Sequence, residues 1–461
     1  MSDKNNTYYI VTFGCQMNEH DSSLIAGLLE ISGYVASPSL EGADIVVVNT
    51  CCIRETAEQK IRSFLGSLKA YARNNPSFMV VVYGCMVQAK GNAAKISRIG
   101  DYIGVLVGTS ALGKIPFYIE QFKISGKRII DISVDDLSSD AAYMEKHPII
   151  KKEPFRATVS IIYGCDNYCS YCIVPYVKGR ERSRMPKAII SDIRALVLSG
   201  CKEVLLLGQN VNSYGKDISQ KDISGAGDCS FAKLLHQISR VDGLERVRYM
   251  TSHPRDFSKE LLETIAAESK ICKHFHLPVQ SGSDKILAAM NRGYSIKYYK
   301  QLIADIRRAV PNAVITTDII VGFPGETEDD FNETLGLVSE CLFDAAYTFM
   351  YSPRNGTSAA KMPHQVGKQE KKQRLYKLTE LQNSISLKKN QDSIGTTLGV
   401  LVEGQSKNNK EKYSARTEGN KIVIFSPYPD NSDSIIIPGD ILNIKISAAN
   451  TWNLFGDIND V

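Results

Sequence analysis

The chain has 461 residues, of which 43% are hydrophobic and 23% are charged, and its formal net charge is +5. This composition is ordinary for a soluble globular protein, and the length suits about three domains. Eleven cysteines in so long a chain do not fit the disulfide scaffold of a short secreted domain. The sequence has neither a signal-peptide pattern nor an apolar run of membrane-spanning length, so we expect a cytoplasmic protein with no membrane partner.

The N-terminal segment, residues 1–122, alternates short apolar runs with amphipathic patterns. The runs at 8–13, 44–49 and 79–84 are rich in Val and Ile, and helices are predicted near 21–32, 55–73 and 88–97. Continuous apolar runs separated by helices indicate strands buried on both faces of a parallel sheet. We therefore predict an α/β, Rossmann-like domain, followed by a linker over residues 123–150.

Three cysteines, Cys15, Cys51 and Cys85, each follow one of these runs. Parallel strands present their carboxyl ends at one edge, where open α/β sheets place ligands, so the three thiols should converge. One such cysteine alone is more often a small buried hydrophobe, but three at the same topological position indicate a shared metal site. Cys52 is expected to point away, because adjacent side chains at a strand end point in opposite directions.

A second set of cysteines forms a C-x3-C-x2-C triplet after the apolar run at 157–164: Cys165, Cys169 and Cys172. Three thiolates within eight residues suit three irons of a 4Fe–4S cube, and the fourth iron then stays open to a ligand. An open coordination position is typical of a metal site that performs chemistry. The alternative is a three-cysteine zinc site with a missing or distant fourth ligand.

Six strand-like runs between residues 151 and 382, most followed by a helical pattern, predict an open, partial (β/α)6 TIM barrel. The runs cover 157–164, 203–209, 246–252, 273–279, 314–322 and 346–352. Catalytic groups of such barrels lie in the loops after the carboxyl ends of the strands. Arg292 and Arg354 lie at or near loops, where each is either a solvated surface arginine or a phosphate contact.

The tail begins with a basic segment, 361–392, that is helical by composition and is either a solvated face or a grip on RNA. From about residue 393 the pattern changes to short strands, which suggest a small barrel of the nucleic-acid-binding kind over residues 390–456. This part is slightly acidic, so RNA contact would depend on individual side chains such as Lys407 and Arg416.

Several motifs together resemble the methylthiotransferase family of the radical S-adenosylmethionine (SAM) superfamily. They are TFGCQMNEHDS, NTCCIRE and YGCMVQ, then GCDNYCSYCIVP and VPYVKGRERSR. The Gln-Met-Asn after Cys15 is similar to the tRNA-modifying branch, and VLVEGQSK with ARTEGN is similar to the TRAM domain that ends this family. The chain departs from the family at Cys52, where Ser or Ala is more usual, and at Ala415, where Gly is common.

The resemblance implies two 4Fe–4S clusters, a SAM-binding one on the triplet and an auxiliary one on Cys15, Cys51 and Cys85. It also implies SAM contacts in the loops after the barrel strands. The glycine-rich stretch would hold the amino group of SAM and a later stretch its adenine, while the loop between them opens a helix with free N–H donors. These candidate contacts are Gly208, Gln209, Asn210, Ser252, His253, Gln280, Ser281, Gly322 and Phe323.

The predicted function is methylthiolation of carbon 2 of N6-isopentenyladenosine beside the anticodon of tRNA. The predicted partners are that anticodon loop and a low-potential electron donor such as flavodoxin or ferredoxin, and the enzyme is expected to be a monomer. One alternative is a sister enzyme that acts on threonylcarbamoyladenosine or on a ribosomal protein side chain. Another is a non-enzymatic iron–sulfur or zinc RNA-binding protein, which would not account for the six-stranded barrel.

Overall fold

The computed structural model describes residues 6–52, 55–133, 153–219, 229–427 and 435–459. The N-terminal domain is a six-stranded parallel sheet with the order β2-β1-β3-β4-β5-β6. The strands are β1 Thr7–Thr12, β2 Val35–Ala36, β3 Ile45–Thr50, β4 Met79–Gly84, β5 Ile103–Val107 and β6 Ile129–Asp131. Helices Gln16–Ile31 and Ile115–Ser125 cover one face, and Glu55–Ser67, Lys69–Asn74, Cys85–Gln88 and Asn92–Ser97 cover the other.

The predicted parallel sheet is confirmed, and β4 has the predicted bounds. The helix expected near 21–32 begins five residues earlier, at Gln16, and the sequence interpretation missed β2, β5 and β6. Strand β6 and the end of helix Ile115–Ser125 fall inside the segment 123–150 that was expected to be a linker. Residues 134–150 of that segment lie outside the described residues, and the predicted domain limits stay predictions.

The central domain contains the six predicted barrel strands in two parallel sheets, ordered β11-β10-β7 and β12-β13-β14. The strands, with a short antiparallel pair β8–β9, are β7 Arg156–Ser160, β8 Ile162–Tyr163, β9 Arg182–Ser183, β10 Glu203–Leu207, β11 Arg246–Tyr249, β12 His274–His276, β13 Val314–Val321 and β14 Ala345–Met350. A parallel bridge from Val247 to Ile271 and a 3.3 Å hydrogen bond from the Ser252 N–H to the His276 carbonyl link the two sheets. The six strands therefore form one open barrel.

Seven helices of the central domain accompany these strands among the described residues. They are Val174–Lys178, Pro186–Leu198, Phe231–Ser239, Lys259–Ala267, Asp284–Ala289, Ile296–Ala309 and Glu328–Cys341. Short 3-10 helices lie at Val211–Ser213, Pro254–Asp256 and Ala359–Lys361 in the same domain, and at Leu40–Gly42 and Leu112–Lys114 in the N-terminal domain. Helix Gln16–Ile31 of the N-terminal domain lies against the barrel, since His20 Nδ1 is 3.1 Å from the Thr158 carbonyl oxygen. Met17 of the same helix packs against Leu205 and Leu207. This joint brings the carboxyl edge of the first sheet close to the barrel.

The C-terminal part is helix Lys368–Gln391 followed by a closed five-stranded barrel, as the sequence pattern predicts. Its strands are β15 Thr397–Gln405, β16 Tyr413–Thr417, β17 Ile422–Phe425, β18 Ile441–Ala449 and β19 Asn453–Ile458. Arg246 and Arg248 of β11 donate to four backbone carbonyls of this barrel at 2.6–3.0 Å. These bonds hold the small barrel at the amino end of the central strands. Among the described residues, no helix combines the length and apolarity needed to cross a membrane.

Candidate metal centres

The cysteine triplet lies in the loop after β8, at the carboxyl end of the first barrel strand. Gly164, which opens this loop, has a φ of +71°, and a Cβ there would lie 2.0 Å from the Arg180 carbonyl oxygen, so only glycine fits. The Ser170 hydroxyl donates to the Ala289 carbonyl at 2.8 Å and ties the loop to a neighbouring helix. The positions of the three cysteines are thus fixed by the fold from both sides.

The three thiols form a set that suits iron. Cys165 and Cys169 are each 8% exposed and Cys172 is half-buried. Burial and, to a smaller degree, the charge of the neighbouring Cys169 raise the pKa of Cys165 to about 11 and that of Cys172 to about 12. A bound metal reverses this effect, since it requires deprotonated ligands and compensates their charge. Three soft donors with no fourth protein ligand in the triplet fit a 4Fe–4S cluster that keeps one open iron.

Arg292, which the sequence analysis considered as an RNA contact, lies beside the cysteine triplet. Its Nη1 lies 3.4 Å from Cys169 Sγ, and its Nη2 donates to the Pro278 carbonyl at 2.7 Å. Only 4% of the residue is exposed, so in this structure the guanidinium faces the triplet rather than solvent. The predicted contact of Arg292 with RNA stays a prediction. A buried guanidinium beside the triplet stabilises negative charge on sulfur.

Three predicted SAM contacts present polar atoms that await a ligand. Ser252 Oγ, His253 Nε2 and Gln280 Oε1 are buried and have no hydrogen-bond partner among the described residues. Buried polar atoms normally have hydrogen-bond partners, so a polar molecule bound in this space would supply the partners that the chain does not. Gln280 also has a φ of 72°, a strained conformation of the kind that is common at binding sites. These residues therefore fit SAM.

Asn210 connects two of the strand-end loops. Its Oδ1 accepts from the His253 N–H at 3.0 Å, and its Nδ2 donates to Asp256 at 2.7 Å. Burial and, to a smaller degree, the charge of Arg292 lower the pKa of His253 to about 2. His253 is therefore neutral at physiological pH, so it offers a cationic ligand such as a sulfonium a hydrogen-bonding group without repulsion.

The remaining predicted SAM contacts differ in how buried their side chains are and in whether the position requires glycine. A Cβ at Gly208 or Gly322 would lie 2.4 or 2.3 Å from a neighbouring side-chain carbon, so both positions require glycine. Gln209 is half-buried and Ser281 is buried. Phe323 is completely buried and packs against another aromatic ring, so a ligand can meet only its backbone.

The three cysteines of the first sheet all lie at its carboxyl edge. Cys15 precedes helix Gln16–Ile31 with its Sγ 3.3 Å from Asn18 Oδ1, Cys51 directly follows β3, and Cys85 begins a helix after β4. A Cβ at Gly14 would lie 2.9 Å from the Cys51 Cβ, which shows how closely the first two chain segments approach. Across the described ranges no three His, Cys, Asp or Glu side chains have the mutual spacing of ligands around an ion, so both ligand sets stay predictions.

Cys52 does not point away from this edge, contrary to the expectation from strand alternation. Strand β3 ends at Thr50, so Cys51 and Cys52 lie beyond it and the alternating geometry no longer holds. The Cys52 thiol is hydrogen-bonded to Cys85, and this contact together with burial raises the pKa of Cys52 far above its usual range. The edge therefore carries four thiols, one more than a three-cysteine site uses.

Lys178 is a functional candidate that sequence reasoning missed. It ends the short helix Val174–Lys178, which starts two residues after Cys172, and its Nζ lies 3.6 Å from Asp21 Oδ2. Despite the cost of burial, the charges of Asp21, Cys85 and Cys15 raise the pKa of Lys178 well above its usual range. One short helix thus runs from the triplet to the edge that holds the other cysteines, and it brings a permanent cation to that edge.

The other predicted RNA contacts lie in three different settings. Lys407 is exposed, and Arg354 lies 3.7 Å from Glu58 across the boundary between the barrel and the N-terminal domain. Arg416 is bonded to Glu403 at 2.8 Å and lines a cavity of about 480 Å³ between the three domains. Its charge is paired inside the protein in this structure, and its contact with RNA stays a prediction.

Comparison with known families matches all three domains. Residues 7–108 match the uncharacterized protein family UPF0004, residues 159–338 the radical SAM superfamily and residues 391–458 the TRAM domain. Among solved structures, the radical SAM methyltransferase TsrM from Kitasatospora setae is similar in fold, with a TM-score of 0.56 and 12% identity over 77% of this chain and 74% of that one.

Curated relatives match along nearly the whole chain. The tRNA-2-methylthio-N(6)-dimethylallyladenosine synthase of Natranaerobius thermophilus is 47% identical over 98% of this chain and 96% of the relative. The enzyme of the same name from Pelotomaculum thermopropionicum is 46% identical over 97% of both chains. The chain therefore belongs to the tRNA-2-methylthio-N(6)-dimethylallyladenosine synthase family of radical SAM methylthiotransferases.

Proposed function

We propose that this enzyme attaches a methylthio group to carbon 2 of N6-isopentenyladenosine at position 37 of tRNA. The observation that carries the proposal is the placement of two cysteine sets at the two ends of helix Val174–Lys178, in a chain 46–47% identical to synthases of this name. A helix of this length rises less than about 10 Å, so one substrate base can lie within reach of both sets.

The family uses two 4Fe–4S clusters and SAM. When bound, these groups supply the removal of a hydrogen that no side-chain base can take from an aromatic carbon, together with the sulfur and the methyl group of the product. The proposed ligands are Cys165, Cys169 and Cys172 for the SAM-binding cluster and Cys15, Cys51 and Cys85 for the auxiliary one. Donor chemistry supports both sets, because each offers three thiolates and leaves one iron open.

Side chains around the triplet orient SAM and balance charge. Ser252, His253 and Gln280 offer their unsatisfied polar atoms, and Asn210 fixes the loop that carries His253. A neutral His253 adds no positive charge beside a sulfonium. Arg292 places its positive charge against the sulfur of Cys169.

At the auxiliary edge the chain supplies cation and enclosure. Lys178 stands beside Asp21 and close to Cys85 and Cys15, where its ammonium stabilises thiolate charge. Cys51, Cys52 and Cys85 are buried while Cys15 is exposed, so the edge opens toward solvent on the side of Cys15. The substrate base and the sulfur can meet only on that open side.

The finer assignments of partners rest on chemistry rather than on an observed contact. The proposed RNA contacts are Arg292, Arg354, Lys407 and Arg416, and Lys407 is the exposed one among them. The RNA target is the unpaired anticodon loop, whose bases can leave their stack and enter a pocket. A flavodoxin or ferredoxin is the proposed electron donor, and we propose a cytoplasmic monomer.

The test is anaerobic reconstitution with iron and sulfide, followed by reaction with SAM, a low-potential reductant and isopentenylated tRNA. Mass spectrometry of the digested nucleosides should show 2-methylthio-N6-isopentenyladenosine. Parallel reactions with tRNA carrying threonylcarbamoyladenosine and with ribosomal protein separate the sister activities. Product from one of these alone would overturn the proposed substrate, and dominant zinc in the anaerobically prepared protein would overturn the reaction class.

A further inference from the structure

Two tyrosines form an exposed pair beside the cysteine triplet, and nothing in the reaction described above uses them. Tyr168 lies between Cys165 and Cys169, and Tyr176 lies on helix Val174–Lys178. Their side chains are 43% and 50% exposed, and the ring centroids are 6.1 Å apart with the planes at 82°. The exposed part of the Tyr168 ring is therefore accessible to another flat group.

The fold holds Tyr168 in this position at a cost. Its φ is 46°, in the left-handed region that favours glycine or asparagine and is strained for a bulky side chain. Asn291 Nδ2 donates to the Tyr168 carbonyl at 3.1 Å, and Arg255 Nη2 donates to Asn167 Oδ1 at 2.6 Å. The loop is therefore fixed from two sides, so its aromatic ring is presented rigidly and loses little freedom on binding.

The surroundings of the pair suit an RNA strand. Helix Val174–Lys178 buries Ile173 and Val177 against the core that contains Cys85, which leaves Tyr176 on its solvent side. Arg180, whose side chain is 75% exposed, follows the helix and lies near Tyr168, with its Nε 2.7 Å from Asp166 Oδ1 and the rest of its guanidinium in solvent. An exposed aromatic ring next to an exposed guanidinium matches a nucleobase next to its phosphate.

From this geometry we infer that Tyr168, packed perpendicular to Tyr176, is a stacking platform for the unpaired nucleotide next to the target adenosine. This inference rests on the proposed function, because it names how that RNA substrate is positioned. Stacking of this neighbouring base keeps the RNA strand open beside helix Val174–Lys178, between the two cysteine sets. The target base is then directed into the site. Tyr168 is thus a positioning residue that touches the RNA but not the reacting atoms.

The test measures binding of an isopentenylated anticodon stem–loop to the reconstituted holoenzyme. Two RNAs are compared: the intact stem–loop, and one in which the nucleotide beside the target is abasic. Tyr168→Leu should weaken binding of the intact RNA roughly ten-fold, the fold-change expected for the loss of one base–aromatic stack. Tyr168→Phe keeps the ring and should stay within about two-fold of wild type, because stacking uses the ring face. The abasic RNA should bind wild type as weakly as the intact RNA binds Tyr168→Leu, and the two changes together should cost no more than either alone.

Phe117→Leu is the matched control, because this exposed ring lies on a helix that covers the opposite face of the first sheet. It should leave RNA affinity unchanged, and all variants should keep wild-type iron content and wild-type cleavage of SAM without RNA. The inference is overturned if Tyr168→Leu binds the intact RNA as wild type does, or if its loss is the same on the abasic RNA. If wild type itself neither binds nor methylthiolates isopentenylated RNA, the proposed function fails and the inference fails with it.

Discussion

The two cysteine centres are built by the chain in opposite ways. The triplet lies within eight residues of one loop, whereas the other centre gathers cysteines that are 36 and 34 positions apart from three strand ends. Local spacing fixes the identity of the triplet, and the neighbouring fold contributes Arg292 as a cation. At the distributed centre the sheet fixes the meeting point, but the choice among adjacent thiols is decided by where β3 ends.

Because of this difference, we expect the two centres to respond differently to the loss of a cysteine. The triplet has no surplus thiol within the loop, so loss of any member leaves too few ligands. The distributed centre has Cys52 in contact with Cys85 and also holds Lys178, a cation delivered from the triplet's own helix. The second centre therefore depends on the docking of the two domains, and the first depends mainly on its own loop.

The largest effect is expected from removing the local centre. Two cubes require about eight irons per chain, and replacing Cys165, Cys169 and Cys172 together with Ala should leave about four. Cleavage of SAM should disappear completely, because no other site offers an open iron beside the SAM loops. Iron and sulfide assays with detection of 5′-deoxyadenosine measure both outcomes. Cys341→Ala, a buried cysteine far from both sets in the chain, should keep all the iron.

Removing the distributed centre should separate the two roles. With Cys15, Cys51 and Cys85 changed to Ala, reductive cleavage of SAM should continue, because that step needs only the triplet. Methylthio product should be absent, because its sulfur source is gone. Chromatography of both 5′-deoxyadenosine and the modified nucleoside tests this in one reaction. Normal methylthiolation by this variant would show that the auxiliary ligands are misassigned.

A smaller contrast tests which of two adjacent thiols binds iron. Cys51→Ser should lose the auxiliary iron, since a hydroxyl is a far poorer ligand than a thiolate. Cys52→Ser should keep full iron content and activity, with a small change in stability, because its thiol contacts Cys85 without being required. The matched pair of serine variants is compared by iron content and by the spectrum of the cluster. The reverse pattern would shift the assigned ligand by one position.

Much of this architecture was readable from the sequence, and the misses have physical causes. The Val-rich run at Met79–Gly84 and the Leu-rich strand β10 are recognisable in the sequence, because strands buried on both faces are continuously apolar. Strands β11 and β12 interleave Arg or His with apolar residues, so this rule does not cover them. Strand β6 is short and partly exposed at the sheet edge, so it carries no such pattern. The burial of Arg292 and Lys178 is set by distant segments that fold over them, and a loop context in the sequence gives no sign of it.

The smallest expected effect concerns the joint that brings the two centres together. His20 is buried where helix Gln16–Ile31 meets β7, with Nδ1 between the carbonyl and the hydroxyl of Thr158 at 3.1 and 3.3 Å. Burial lowers the pKa of His20 to about 4; Asp21 opposes this shift, whereas Arg184 and Lys178 add to it. Between about pH 6.5 and 4, His20 is protonated in the unfolded chain but not in the folded one. As the pH decreases through this window, the free energy of unfolding therefore decreases by about 1.4 kcal/mol per pH unit from this one group.

His20→Gln should abolish that contribution, so near pH 5.3 it should take up about one proton fewer than wild type on unfolding in urea. Thr158→Val keeps the imidazole and should retain the uptake, which separates the lost titration from the lost contact. Equal proton uptake by wild type and His20→Gln would show that the ring titrates normally and that this joint does not exclude charge.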